Sequence, residues 1–124
     1  MKRKSGVTFD DVRRIVATLP DSVESTSYGT PAFKVRGALF VRLRDDIDAL
    51  VVRVEMDRRH EMLEADPETY FITDHYLEYP WILVRMSVVK VEALTDLLRG
   101  AWELARASKQ STKSNKSKGR TSKR

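Results

Sequence analysis

The sequence contains no cysteine among its 124 residues and only two histidines. The absence of cysteine excludes disulfide frameworks, thiolate nucleophiles and thiolate metal sites, and two histidines leave little room for a histidine-rich metal site. No run of residues approaches the roughly 20 apolar positions that a membrane span needs. The basic N-terminal residues 1–4 are not followed by an apolar segment, so we expect no secretory signal. We therefore expect a cytoplasmic protein with no membrane segment, no metal and no cofactor.

Positive charge is concentrated at the two ends of the chain. Of the 23 lysines and arginines, seven lie in residues 108–124 and three in residues 1–4. The body between them has 13 basic residues against all 18 acidic residues, a formal net charge of −5. Residues 108–124 contain no large apolar side chain, so we expect a disordered basic tail. Such a tail either binds polyanions without sequence preference or acts only as a solubilising end.

Hydrophobic periodicity predicts three helices and five strands. A capping box at Thr8 and Asp11 begins the first helix, and Pro20 ends it. The polar residues 21–31 are predicted to form a loop. The predicted strands are 32–36, 38–44, 49–55, 70–73 and 81–86. Asp57 is predicted to cap a short helix that continues to about Ala65, and a long final helix follows Ser87.

The order of these elements, α-β-β-β-α-β-β-α, predicts the fold class. Clustered strands with short connections favour a mainly antiparallel sheet with helices packed on it. We therefore expect an α+β domain over residues 8–107, with two layers and a five-stranded sheet. A basic N-terminal extension, residues 1–7, precedes this domain.

Alternation along the strands divides their side chains between two faces of the sheet. One set is wholly apolar and is expected to pack on the helices. The other set has the aromatic residues Phe40 and Trp81 and six basic residues, which are Lys34, Arg36, Arg42, Arg44, Arg53 and Arg85. Guanidinium groups bind phosphates, and aromatic rings stack on bases. This face is either an anion or nucleic-acid site, or a solvated face whose arginines cover apolar surface and pair with acids such as Asp45 and Asp46.

Residue types that carry catalysis are scarce. His60 and Glu61 begin a segment that is similar to a zinc-protease helix, but Glu64 occupies the position of the second histidine. His75 lies in a loop with Asp74 and two tyrosines, which are side chains used in acid–base work. No nucleophile accompanies them, so we expect His75 to pack within its loop and the protein to be non-enzymatic.

Two segments carry a resemblance to a known family. One covers residues 27–40 and contains S-Y-G-T-P-A-F-K, and the other covers residues 75–85 and contains Y-P-W-I-L-V-R. Together they resemble the MmcQ/YjbR-like family of small bacterial proteins, over about residues 8–107. The matching positions are Tyr28, Gly29, Pro31, Phe33, Lys34, His75, Tyr76, Tyr79, Pro80, Trp81 and Arg85. The resemblance implies a fold similar to that of type III secretion chaperones, and members of the family are commonly labelled DNA-binding.

The chain departs from the family pattern at Ala38, where many relatives have a basic residue, and at Glu78, where a small residue is expected. The resemblance and the basic face together predict a monomeric, non-enzymatic DNA-binding module whose phosphate ligands are the six basic residues. The expected aromatic surface consists of Tyr28, Phe40, His75, Tyr76, Tyr79 and Trp81. Four of these rings, excluding Phe40 and His75, also fit a structural cluster that locks two loops. The alternative function is a protein- or peptide-binding adaptor whose folded domain has no nucleic-acid role.

Overall fold

The structure, a computed structural model, describes residues 6–111 and has three α-helices and six strands in that part of the chain. The helices are α1 (Phe9–Val16), α2 (Met56–Ala65) and α3 (Val91–Ser111), and a 3₁₀ turn spans Asp74–Tyr76. The strands are β1 (Ser22–Ser27), β2 (Thr30–Val35), β3 (Ala38–Arg44), β4 (Ala49–Arg53), β5 (Tyr70–Phe71) and β6 (Trp81–Arg85). Most of the expected basic tail and N-terminal extension therefore lies outside the described residues.

The sheet is antiparallel throughout, in the order β1-β2-β3-β4-β6-β5. The α+β class is confirmed, but the sheet has six strands and not the predicted five. The sixth strand is β1, which lies in the segment predicted as a loop. Tyr28 and Gly29 join β1 to β2 with φ angles of 54° and 80°, the positive values that a tight hairpin turn requires. β1 is a polar strand at the edge of the sheet and pairs through its backbone. Its side chains show little apolar alternation, so the sequence pattern does not predict a strand there.

Several element boundaries differ from the predicted ones. Thr8 and Asp11 form the reciprocal capping box of α1 as predicted. Glu55, not Asp57, occupies the N-cap of α2, and α3 continues past the expected domain boundary to Ser111. The amide of Val7 donates to the carbonyl of Met86 at 2.7 Å, so the last residues of the expected N-terminal extension belong to the fold. Within residues 6–111, none of the helices is long and apolar enough to cross a bilayer.

The main core lies between the helices and one face of the sheet, as the apolar alternation predicts. A register shift between Phe33 and Lys34 changes this alternation in β3. Phe40 and Val41 both enter the core and are completely buried, whereas Leu39 turns to the opposite face. The prediction that Phe40 lies on the basic face is therefore wrong, because a bulge places two consecutive residues on one side of a strand.

Candidate functional site

The sheet face opposite the α-helices carries the basic residues, and the strand register arranges them in three rows. The first row consists of Arg44, Ala49 and Arg85, and the second of Arg42, Val51, Leu83 and Phe71. The third row contains Arg53 paired with Trp81, and Lys34 paired with Leu39 lies beside it. The segment 74–79 lies over the middle of this face, where Tyr76 packs on a small apolar cluster. The remainder of the face is the candidate site.

Three arginines on this face stack on aromatic rings. The guanidinium carbon of Arg42 is 5.0 Å from the ring centroid of Tyr28. The corresponding distances are 5.0 Å for Arg53 and Trp81 and 4.3 Å for Arg85 and Phe71. Each cation lies within the range of a cation–π contact. We call this surface, formed by these three arginine–ring pairs, the arginine–aromatic face.

Arg42 is a buried cation, with only 9% of its surface exposed. Its Nη2 donates to the hydroxyl of Tyr76 at 3.1 Å, and its Nη1 donates to Oγ1 of Thr30 at 3.3 Å. Within the described part of the chain, no carboxylate forms an ion pair with it. The charge of Asp46 acts on Arg42 through space, without a direct contact. A buried charge that lacks a direct ionic partner is costly, and a ligand anion bound to Arg42 would lower that cost.

Arg53 is half-buried beside this site. Its Nε and Nη2 both donate to the carbonyl oxygen of Leu39, at 3.2 and 3.1 Å. Burial lowers the pKa of the Arg53 guanidinium from its ordinary value, which is so high that the group stays charged at neutral pH. Arg53 is therefore a second cation that is held by a neutral carbonyl acceptor. It forms no salt bridge with a carboxylate of residues 6–111.

The other predicted basic residues occupy different environments. Arg44 forms two hydrogen bonds with the carboxylate of Asp46, at 2.9 and 2.7 Å. These hydrogen bonds lower the pKa of Asp46 to about 2, so the pair neutralises Arg44 at neutral pH. Arg36 is exposed in the β2–β3 turn with a φ of 53°. Lys34 lies on the arginine–aromatic side of β2, because its neighbours Phe33 and Val35 face the core.

A cavity of about 320 Å³ opens on this face. Its lining is mostly aromatic and consists of Tyr28, Leu39, Arg42, Val51, His75, Tyr76, Tyr79 and Trp81. The structure thus brings together five of the six predicted aromatic-surface residues, and Phe40 is the exception. Tyr28 is 88% exposed and Tyr79 is 58% exposed, so these two rings are accessible to a ligand.

Arg59 organises the loop beside this cavity, and the sequence reasoning missed it. Its guanidinium is buried and donates to the carbonyl oxygens of Tyr76, Leu77, Tyr79 and Trp81 at distances between 2.8 and 3.1 Å. It therefore fixes the loop that supplies three of the lining rings. The sequence gives one indication that Arg59 is buried, which is its spacing to Met62. Residues three apart share a helix face, and Met62 is buried.

His75 is exposed and packs edge-on against the ring of Tyr76, with 4.8 Å between centroids. No hydrogen bond joins it to a carboxylate of the described residues, and these residues contain no group of three potential metal ligands. His60 forms an exposed ion pair with Glu64 at 3.2 Å. The geometry at both histidines is that of surface packing.

A second groove, of about 270 Å³, lies between α2, α3 and the end of β4. Its lining has three acidic residues, Glu55, Asp96 and Glu103, and two arginines, Arg53 and Arg58, and it has no aromatic ring. A groove with charges of both signs and no aromatic ring has no surface on which a base or another planar ligand could stack. The arginine–aromatic cavity is the stronger candidate.

The fold and this face define a small α+β domain in which helices cover one side of an antiparallel sheet and the other side carries an arginine-lined aromatic cavity. A family model described as YjbR matches residues 17–104. The chain belongs to the YjbR family, as the two sequence segments predicted.

The similar proteins fit this assignment. The chain is 33% identical over 118 residues to uncharacterized proteins of Mycobacterium tuberculosis (Rv2570) and Mycobacterium bovis (Mb2600), an alignment that covers 83% of this chain and 91% of each relative. It is also similar to the crystal structure of Deinococcus radiodurans protein DR2400, whose domain is described as DUF419. That similarity has a TM-score of 0.70 at 26% identity and covers 88% of this chain and 83% of the other.

Proposed function

We propose that this protein is a non-enzymatic DNA-binding module that acts as a cytoplasmic monomer and holds phosphates on the arginine–aromatic face. The observation that carries the proposal is a set of three arginines, Arg42, Arg53 and Arg85, that form no salt bridge with a carboxylate of the described residues. They lie on one face of a body whose formal charge is negative. Their stacking on rings fixes the guanidinium planes before a ligand arrives, which lowers the entropy cost of binding.

The chemistry of the face suits a phosphodiester chain. Arginine presents planar, paired donors that match phosphate oxygens, and aromatic rings beside the cations stack on bases. Arg85 is exposed and Lys34 is half-exposed, so these two residues offer phosphate contacts at the periphery. Asp46 neutralises Arg44, and Arg36 lies in a turn, so we assign the main contacts to the other four basic residues.

The test is a charge reversal in the full chain. We expect Lys34→Glu with Arg85→Glu to weaken DNA binding at least about tenfold and to reduce its salt dependence, because phosphate contacts are lost. The matched control is Lys90→Glu with Arg99→Glu, which makes the same charge change at exposed positions near or on α3. Equal losses in both double variants would show that only net charge matters and would contradict the proposal.

One observation favours a second candidate, a protein- or peptide-binding adaptor. Tyr28, Leu77 and Tyr79 are large apolar residues, each more than half exposed, in the two loops that frame the cavity. Exposed apolar groups of this kind are typical of protein contacts. An adaptor would bind its partner in a salt-tolerant way, whereas DNA binding weakens steeply as salt rises.

A further inference from the structure

We infer that the cavity of the arginine–aromatic face binds one unpaired nucleobase, and that the protein therefore prefers single-stranded DNA to duplex DNA. This inference rests on the proposed function and specifies the form of DNA that the same site takes. It depends on the concave shape of the cavity, on the exposed rings at its mouth and on the free donors of Arg42.

The shape argues against an intact duplex. A volume of about 320 Å³ lies at the lower end of the range typical of small-molecule sites, which suits a single planar ring system. In a duplex the faces of the bases are covered by their neighbours, so a base reaches such a cavity only after it leaves the stack. A single strand avoids most of that cost.

The lining supplies the two interactions that hold an extruded base. Tyr28 and Tyr79 present accessible rings, and Trp81 presents a third that is partly buried. Base–aromatic stacking is tolerant of sequence because every base has a π-face. The cavity therefore has the surface needed to stack a base without selecting which base it is.

Arg42 supplies polar contacts at the wall of the cavity. A guanidinium has five N–H donors, and the hydrogen bonds to Tyr76 and Thr30 use two of them. The remaining donors suit the acceptors of a base edge or the neighbouring phosphate. Because Arg42 is nine-tenths buried and forms no salt bridge within residues 6–111, an anionic nucleotide would also supply a direct ionic partner.

The experiment compares four probes on the full chain at fixed salt. The probes are a thymidine strand of about 15 nucleotides, an abasic strand of the same length, the duplex of the thymidine strand with its complement, and free thymidine monophosphate. The length of the strand is near the upper site size of single-strand modules. The thymidine and abasic strands carry the same phosphates and differ only in their bases. The basic tail meets the same phosphates in these two strands, so it cannot create a difference between them.

We expect the thymidine strand to bind between about 5-fold and 150-fold more tightly than the abasic strand, the range for one stacked base, and more tightly than the duplex. Tyr79→Ala and Tyr28→Asn should each remove most of this preference. Tyr79→Ala should leave the abasic strand's affinity unchanged, whereas Tyr28→Asn should also weaken binding of the abasic strand, because Tyr28 positions Arg42. Asparagine is chosen at position 28 because it tolerates the positive φ of that turn. The control, Val23→Ala, removes an exposed apolar side chain outside the cavity and should change neither affinity.

Equal binding of the thymidine and abasic strands would overturn the base-binding inference and leave the proposed function intact. If thymidine monophosphate bound as tightly as the strand, the ligand would be a free nucleotide, and the single-strand assignment would be wrong. Failure of all nucleic-acid probes to bind would overturn both the inference and the proposed function.

Discussion

Arg42 of β3 donates a hydrogen bond to the hydroxyl of Tyr76 at 3.1 Å and thereby connects the sheet to the loop that lies over it. The same arginine stacks on Tyr28 in the β1–β2 turn, 5.0 Å from the ring centroid. One buried cation thus joins the two loops that frame the cavity. The stability of the domain and the shape of its candidate site are coupled through this residue.

We predict that Tyr76→Phe destabilises the fold by about 1.5–3 kcal/mol, the usual contribution of a hydrogen bond to a charged group. The substitution keeps the buried ring and removes the hydroxyl that accepts from Arg42 and that also interacts with Arg44. Urea unfolding monitored by circular dichroism measures the free energy. Tyr70→Phe is the control, because no hydrogen bond in the described part of the chain involves that hydroxyl. Equal losses in the two variants would contradict the role assigned to the Arg42–Tyr76 contact.

Arg59→Met should cost about 3 kcal/mol or more in the free energy of unfolding, because four carbonyl groups lose their donor. Amide hydrogen exchange in residues 76–81 should become faster as that loop loosens. Arg58→Met makes the same chemical change at the neighbouring exposed position and should shift stability by less than about 0.5 kcal/mol. If both variants unfolded at the same urea concentration, Arg59 would not be organising the loop.

Phe40→Ala should destabilise the domain by about 3–5 kcal/mol, because it leaves a cavity in the core. Phe40 is completely buried, so the loss should appear in thermal unfolding. Tyr28→Asn, which removes an exposed ring and its cation–π contact with Arg42, should cost only about 0.5–1 kcal/mol. A small effect of Phe40→Ala would mean that the ring faces solvent, as the simple strand alternation predicts.

Asp46→Asn should strengthen DNA binding and increase the slope of its salt dependence by about 0.9, because it frees Arg44 for one more phosphate. Asp45→Asn removes the same charge from an exposed residue that forms no ion pair among residues 6–111, and should have a smaller effect on affinity. Fluorescence anisotropy across a salt series measures both quantities. Identical changes in the two variants would show that Arg44 gains no contact.

The same pair has a defined pH dependence. The pKa of Asp46 falls from 3.8 to about 2 in the folded protein, so its contribution to stability is present above about pH 3.8 and is lost as the pH falls through about 2. Between pH 5 and 8 the pair stays ionised, and Asp46 should cause no change in affinity. An affinity that fell as the pH rose from 5 to 8 in the natural chain, but not in Asp46→Asn, would contradict this assignment.

The parts of the fold that the sequence predicted are those where local pattern and tertiary packing agree. Thr8 and Asp11 predicted the start of α1, because a capping box depends only on neighbouring residues. Alternating apolar residues predicted β3 and β4, because one face of each strand is buried. The five cavity-lining aromatic residues of the predicted surface came from the family segments at residues 27–40 and 75–85.

The parts that the sequence did not predict depend on contacts between distant residues. The bulge opposite Phe33 arises from pairing with β2, and no local pattern marks it. β1 is polar and gains its order from backbone pairing at the sheet edge. An arginine on a polar helix is expected to be exposed to solvent. Arg59 is buried because its guanidinium donates to carbonyl groups of a loop 17 to 22 residues further along the chain.

The most direct test of the central claim is a salt titration of single-stranded DNA binding by the full chain and by a chain that ends at Ser111. The account predicts that the shorter chain still binds, with a slope of log affinity against log salt of about −2 to −3, as expected for three or four phosphate contacts. Lys34→Glu with Arg85→Glu in the shorter chain should make that slope less steep. Binding by the full chain alone would contradict the account, because the affinity would then belong to residues 112–124 and not to the arginine–aromatic face.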